Sequence, residues 1–169
     1  MAAVFGTDLL SPLAGQPGKI TAGQQATPKR NYKGGSEMIK LKRVYEPAAS
    51  GDGTRFLVER LWPRGVKKSA LQMDAWLKDA APSTELRQWF SHDPTKWSDF
   101  RARYFRELRA NRGAIEPIVT AARRGAVTLL YSSHDAEHNN AVALKDYIGR
   151  RLRRKIASNR AKAKRKNSE

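Results

Sequence analysis

The sequence contains no cysteine among its 169 residues. Disulfide bonds, thiolate nucleophiles and cysteine-ligated zinc sites are therefore excluded. Long apolar runs are also absent, and none approaches the roughly 20 residues that an α-helix needs to span a bilayer. No basic segment followed by a long apolar stretch opens the chain, so a secretory signal is not predicted. We expect a cytoplasmic protein without a membrane partner.

Acidic residues are scarce, with 16 Asp and Glu against 33 Lys and Arg, which gives a net charge of +17. The excess of basic residues is unevenly distributed. Residues 149–169 carry ten basic residues and one acidic residue, whereas residues 38–148 carry nineteen basic and thirteen acidic residues. The central segment is only mildly basic and is long enough to enclose a hydrophobic core. The sequence therefore predicts one domain over residues 38–150, followed by a basic C-terminal tail over residues 151–169.

Residues 1–37 are rich in Gly, Pro, Gln, Thr and Ala and show no sustained hydrophobic periodicity, which predicts disorder. A sharper hypothesis rests on Lys33-Gly-Gly-Ser-Glu-Met38, since purine-rich Lys and Gly codons just before a Met resemble a bacterial ribosome-binding site read in frame. The native start would then be Met38, and residues 1–37 would be a mis-annotated extension. An intact mass of the natively expressed protein that includes residues 1–37 would contradict this hypothesis.

Strand-like and helix-like hydrophobic patterns alternate along the domain. They predict strands at residues 39–44, 55–61 and 127–131 and helices at residues 83–90, 93–111, 116–125 and 138–154, with residues 70–79 undecided and the chain from residue 158 frayed. This alternation is typical of the α/β class, here a single small domain with a mostly parallel central sheet flanked by helices. Ligands of such folds bind beyond the carboxyl ends of the strands, where residues 62–69 and 132–138 form loops.

The end of the second predicted strand carries Arg60, Trp62 and Arg64. Guanidinium groups offer forked donors that match phosphate or carboxylate oxygens, and Trp62 offers a ring that stacks on a base or packs over a cation. The motif therefore indicates an anion-binding half-site. The structural alternative is that Arg60 pairs with an acidic residue, that Trp62 belongs to the core, and that the following Pro and Gly form only a turn.

The end of the third predicted strand supplies the second half of the hypothetical site. Backbone N–H groups at the start of the following helix favour anions, and Ser132 and Asn139 would add hydrogen bonds. Trp62 or Tyr131 would contact an aromatic or sugar portion of the ligand. Asp135 or His138 would act as the base or acid. The alternative is simple helix capping, in which Ser133 or Asp135 satisfies those N–H groups.

His134 and His138 are four residues apart, which would place both imidazoles on one helical face as in some zinc sites. A tetrahedral site needs a third ligand, and the sequence offers none nearby, so no metal and no cofactor are predicted. Clustered cations in the tail indicate binding to nucleic-acid phosphates without sequence specificity. The alternative is a solvated terminus without a specific partner. The five cations that we assign to this contact are Arg150, Arg151, Arg153, Arg154 and Lys155.

Four motifs in order along residues 38–150 resemble the short, YeaO-type members of the DUF488 family. They are Lys42-Arg-Val-Tyr45, Arg60-Leu-Trp-Pro-Arg-Gly65, Ala81-Pro-Ser-Thr-Glu-Leu-Arg87, and Leu129-Leu-Tyr-Ser132 followed by Asn139. The resemblance implies a small bacterial α/β protein of undefined activity. Longer members of the family carry a Cys-His-Arg cluster after the last strand, where this chain has serines and histidines. A thiol mechanism cannot operate here.

Two functions of different classes remain open from the sequence. The first is a small cytoplasmic enzyme that binds a phosphate-bearing, nucleotide-like molecule and catalyses hydrolysis or group transfer without a metal. The second is a non-catalytic, nucleic-acid-associated protein that uses the basic tail. The sequence predicts neither the substrate nor the oligomeric state.

Overall fold

The fold is described from a computed structural model. The structure describes residues 38–166, apart from the side chains of residues 160, 162–164 and 166, so both hypotheses about residues 1–37 lie outside it. Its strands are β1 (Ile39–Arg43), β2 (Thr54–Leu57), β3 (Ala75–Trp76) and β4 (Val127–Tyr131), and its α-helices are α1 (Thr84–Phe90), α2 (Trp97–Ala110), α3 (Glu116–Arg124) and α4 (Asn140–Lys166). None of these helices is long and apolar enough to cross a membrane.

The four strands form one parallel sheet in the order β1-β4-β2-β3. Strand β4 lies inside the sheet, where Leu129 aligns with Leu41 of β1 and with Phe56 of β2. All five of its residues are buried, as expected for an apolar strand with a parallel neighbour on each side. The predicted α/β class with a mostly parallel sheet is therefore confirmed, and the carboxyl ends of the strands share one edge.

The two faces of the sheet have different covers. Phe56, Val58 and Leu129 belong to the main core, together with buried residues from all four α-helices. Successive side chains of a strand point to opposite faces, so Leu57 and Leu130 face the other way. There they pack in a smaller cluster with apolar residues that follow β2 in the chain, namely Trp62, Val66, Leu71, Met73 and Trp76.

Local capping signals place two helix starts as predicted. Ser83 precedes α1, and its Oγ accepts a hydrogen bond from the Leu86 amide at 3.1 Å. Asp93 accepts from the Thr95 amide at 2.9 Å, and Pro94 follows it. The first turn there is a 3₁₀ helix, and α2 continues from it. Further 3₁₀ turns lie at Ser50–Asp52, Lys78–Ala80 and Arg112–Ile115.

The second strand is shorter than predicted, because it ends at Leu57 rather than at residue 61. Beyond that point the Val58 amide still donates to the Leu130 carbonyl at 3.1 Å, but side chains bind the next two carbonyls. The Val58 carbonyl accepts from Nδ2 of Asn140 at 2.6 Å, and the Glu59 carbonyl accepts from Nε1 of Trp76 at 2.7 Å. These tertiary contacts turn the chain away from the sheet and toward its carboxyl edge.

The last helix also differs from the prediction at both ends. It begins at Asn140, two residues late, because Asn139 is its cap. It continues to Lys166, whereas the sequence predicted an end near residue 154 and a frayed chain from residue 158. The undecided residues 70–79 form the short strand β3 followed by the 3₁₀ turn Lys78–Ala80. The basic residues from 150 to 166 therefore extend the helix that packs on the sheet.

A candidate ligand-binding cleft at the carboxyl edge of the sheet

A cleft of about 780 Å³ opens at the carboxyl ends of the strands. This volume is in the usual range for small-molecule sites. Its wall combines the segment after β2 with the segment after β4, which the sequence predicted to meet. Six of the predicted site residues line it, namely Arg60, Trp62, Arg64, Ser132, Asp135 and Asn139, whereas Tyr131 and His138 are not part of its described wall.

Arg60 is held by the protein itself. Its Nη2 donates to the Ala81 carbonyl at 3.2 Å and its Nε to the Pro82 carbonyl at 3.3 Å, while Nη1 lies 3.5 Å from an oxygen of the exposed Asp79. The guanidinium thus joins the segment after β2 to the segment before α1. The structural interpretation therefore accounts for most of its donors.

Trp62 is also largely structural. Its Nε1 donates to the Val66 carbonyl at 2.7 Å, and its ring meets the edge of Trp76 at a centroid distance of 5.2 Å. This packing fixes the indole in the smaller core cluster. Because Trp62 also lines the cleft, it offers a fixed apolar surface there.

Two arginines of the cleft keep their guanidinium groups unengaged. Arg64 and Arg87 are exposed, and neither guanidinium has a hydrogen-bond or ion-pair partner within the described part of the chain. The backbone of Arg64 is nevertheless fixed, since its carbonyl accepts from the Tyr45 hydroxyl at 3.3 Å. The sequence analysis singled out Arg64 but missed Arg87, whose position becomes informative only when α1 is placed beside the cleft.

Glu59 lines the cleft as a second acidic residue besides Asp135, and the sequence analysis missed it. Its Oε1 accepts from the Ser132 amide at 3.0 Å and from the Ser132 hydroxyl at 3.4 Å. Burial raises the pKa of this carboxyl, while the Ser132 hydrogen bonds and the nearby His92 and Arg87 oppose that rise. A signal was available in the sequence, because Glu59 directly follows the apolar residues Phe56, Leu57 and Val58.

The backbone around His92 is unusual for residues with a side chain. Ser91 and His92 have φ values of 45° and 57°, in the left-handed region that favours glycine. Ser91 ends α1, and His92 then lines the cleft beside Phe90. Two consecutive residues of this kind store local strain, which often accompanies binding sites.

The segment after β4 behaves mainly as a cap. One oxygen of Asp135 accepts from the amides of Glu137 and His138 at 2.7 and 2.8 Å, and these backbone bonds lower the pKa of Asp135. Asn139 donates to the Asp135 carbonyl at 2.8 Å and accepts from the Val142 amide at 3.1 Å. The capping alternative therefore holds for Asp135, and Asn139 is a further cap that it did not name, although both side chains also line the cleft.

The two histidines of this segment serve different contacts. His138 places Nδ1 3.0 Å from Asp135 and its ring edge-on to Trp97, whereas Nδ1 of His134 lies 3.3 Å from Nη2 of Arg43. The prediction of one shared helical face was wrong, because both precede α4 and lie in a loop. The described part of residues 38–166 contains no group of three or more side chains that could hold a metal ion.

The basic residues at the start of the predicted tail fall into two sets. Arg150 pairs with Asp146 at 2.9 Å, and Arg151 pairs with Glu116 at 2.7 Å. The three that follow are exposed and have no hydrogen-bond or ion-pair partner among the side chains that the structure describes. These three are Arg153, Arg154 and Lys155.

The family model described as the inactive DUF488-N3 subclade matches residues 38–166. The chain belongs to the DUF488 family. This match confirms the resemblance that the four motifs carry, and it places the cleft inside the matched segment. No solved structure matches the chain.

Several curated proteins support the same DUF488 assignment. The chain is similar to the uncharacterized protein YeaO of Escherichia coli (strain K12), with 42% identity over 110 residues, which are 65% of this chain and 96% of YeaO. It is also similar to the uncharacterized protein Rv3073c of Mycobacterium tuberculosis (strain ATCC 25618 / H37Rv), with 34% identity over 113 residues, 67% of this chain and 95% of that protein. The similarity thus covers almost the full length of both relatives.

Proposed function

We propose that this DUF488 domain is a cytoplasmic binding protein whose cleft holds a phosphate-bearing small molecule without converting it. The observation that carries the proposal is the pair of unengaged guanidinium groups, Arg64 and Arg87, on one cleft. Guanidinium groups stay charged at any working pH, and their forked donors match phosphate oxygens.

The predicted catalytic pair supports binding rather than turnover. The Asp135 carboxylate accepts two backbone amides and approaches the His138 ring, so it stabilises the loop and stays ionised. His138 packs on Trp97 outside the described wall of the cleft. The description of the matching subclade as inactive agrees with a site that has no free general acid or base among these two residues.

Ribose 5-phosphate is a suitable probe for this proposal. We expect Arg64→Ala and Arg87→Ala each to weaken its binding by about tenfold or more, because a hydrogen bond to a charged group contributes roughly 1.5–3 kcal/mol. Isothermal titration calorimetry measures the effect. Arg109→Ala, which removes an exposed arginine of α2 outside the cleft wall, should leave the affinity unchanged. Equal affinity in all three variants would contradict the proposal.

The exposed cations of helix α4 support nucleic acid as a second binding partner. Its exposed cations Arg153, Arg154 and Lys155 have no described intramolecular partner, and they lie on one continuous helix with the basic residues up to Lys166. Cations of this kind bind phosphate backbones by releasing counterions, which makes affinity fall with salt. Such binding would be sequence-independent and would leave the cleft free.

The salt dependence of duplex DNA binding tests the role of α4. Replacing Arg153, Arg154 and Lys155 together by alanine should reduce the slope of log affinity against log salt by up to about 3 units, since each neutralised phosphate contributes roughly 0.9. The matched control replaces Arg150 and Arg151, which already pair with Asp146 and Glu116, and should change the slope less. An unchanged slope in the triple variant would exclude this contact.

A further inference from the structure

We propose that Glu59 selects the base of a nucleotide: its carboxylate accepts a hydrogen bond from an N–H group of the base, while the phosphate binds Arg64 and Arg87. This inference rests on the proposed phosphate-binding function and names the ligand class. It assigns Glu59 a specificity role in binding, beyond its contact with Ser132.

The first argument is that the fold uses only half of the Glu59 carboxylate. Both hydrogen bonds from Ser132 fall on Oε1, which links the segment after β2 to the end of β4. Oε2 has no partner within the described part of the chain. A neutral glutamine would make the same link through its amide oxygen, so the link alone does not require a carboxylate.

The second argument is that no cation in the described part of the chain neutralises this carboxylate through a hydrogen bond. The neighbouring Arg60 directs its guanidinium to two backbone carbonyls and to Asp79. His92 and Arg87 favour the charged form of Glu59 from a distance, without forming an ion pair with it. A partly buried carboxylate oxygen that lacks a donor, as Oε2 does here, is unfavourable, and a ligand that donates to it would relieve the penalty.

The third argument concerns the chemistry of the ligand group that would bind Oε2 of Glu59. An ionised carboxylate only accepts hydrogen bonds, so the group that binds Oε2 must be a donor. Base amino and amide groups are such donors, and base edges are commonly recognised by hydrogen bonds combined with stacking between apolar side chains. The same cleft is lined by the partly exposed Trp62, whose ring offers aromatic surface for a base. A simple sugar phosphate would use the arginines but neither the Trp62 ring nor Glu59.

A set of matched ligands tests the inference by titration calorimetry. The set comprises AMP, GMP, CMP and UMP, together with purine riboside 5′-monophosphate, whose base has no N–H donor, and ribose 5-phosphate. At least one of the four nucleotides should bind the wild-type chain tenfold or more tightly than both of the last two. Glu59→Gln should remove this preference and leave the affinity for ribose 5-phosphate unchanged, because it keeps an acceptor for Ser132 and loses the charge.

Two further variants separate the effect of the Glu59 charge on ligand preference from an effect on folding. Ser132→Ala removes the weaker of the two hydrogen bonds and keeps the carboxylate, so it should retain the preference. Glu59→Asp retains the charge but withdraws it by one methylene, and it should weaken the preference while the protein remains folded in a thermal melt. Base selectivity that persists in Glu59→Gln, or equal binding of the donor-free nucleotide, would overturn the inference.

The outcomes distinguish this inference from the proposed function. If ribose 5-phosphate binding depends on Arg64 and Arg87 but no nucleotide is preferred, only the role of Glu59 fails. If phosphate contributes nothing, free adenosine compared with purine riboside still tests Glu59 alone. A Glu59-dependent preference for adenosine would then retain base selection and reject the phosphate site.

Discussion

Gly53→Ala is expected to lower the free energy of unfolding by about 3 kcal/mol or more. Gly53 has a φ of +66°, and a Cβ at this position would lie 2.0 Å from the carbonyl oxygen of Ala126 and 2.6 Å from its carbonyl carbon. The clash meets rigid backbone, because the Ala126 carbonyl also accepts the Thr54 amide at 3.0 Å where β2 joins β4. Relief would require moving a central strand. Denaturant titration followed by circular dichroism measures the loss.

Gly65→Ala is the matched control for this prediction. Gly65 also has a positive φ, of +71°, but a Cβ added there would have no neighbouring atom within 4 Å. Its substitution should therefore cost only the conformational penalty of about 1–2 kcal/mol. If the two variants lose the same stability, close approach to Ala126 is not what requires glycine at position 53.

Asp52→Asn is expected to lower the thermal midpoint by on the order of 10 °C at neutral pH. Asp52 is 6% exposed and forms an ion pair with Arg55, which is 7% exposed, and with Lys42 at 3.1 Å. The same carboxylate accepts the Ala49 amide at 3.0 Å. Removing its charge leaves the Arg55 guanidinium buried without an anion. Differential scanning calorimetry measures the shift.

The pH dependence of this effect has a definite sign. The Ala49 amide bond, with help from Lys42 and Arg55, holds the pKa of Asp52 below its ordinary value despite the opposing effect of burial. A carboxyl with a lowered folded-state pKa stabilises the protein above its unfolded pKa, about 3.9, and loses that contribution as pH falls through the folded value. The difference in midpoint between wild type and Asp52→Asn should therefore narrow below about pH 4.

Asp79→Asn provides the comparison for Asp52→Asn. Asp79 lies 3.5 Å from Arg60, but its side chain is 77% exposed. Exposed ion pairs contribute little because water and salt screen them. Its substitution should leave the midpoint nearly unchanged across the same pH range. A loss as large as that of Asp52→Asn would show that the burial of the Asp52 cluster is not the cause.

Local signals were sufficient where neighbouring residues alone decide the structure. The Ser83 cap and the Asp93 and Pro94 turn depend on side-chain to backbone bonds within three residues, and the structure has both. The same holds for the apolar strand β4, because its five buried residues are consecutive in the chain. Periodicity and capping therefore gave the α/β class and most element positions.

Predictions failed where distant residues compete for the same backbone. Strand β2 was overextended because the sequence does not reveal that Asn140 and Trp76 bind the carbonyls of residues 58 and 59. The end of α4 was placed too early, since the charge run beyond residue 155 resembles a solvated tail. A local hydrophobic pattern shows neither the hydrogen bonds that end β2 nor the continuation of α4.

The sequence by itself determined the parallel α/β fold, the family, the exclusion of thiol chemistry, and the two strand-end segments that form the cleft. Only the tertiary structure decided which side chains of those segments are free. Arg60 is engaged because its guanidinium meets the carbonyls of Ala81 and Pro82, whereas Arg64 and Arg87 meet no such partner in the described part of the chain. Glu59 became important for the same reason, since its partner Ser132 lies 73 residues further along the chain. Hydrogen-bond engagement depends on three-dimensional neighbours, and residue type alone cannot specify it.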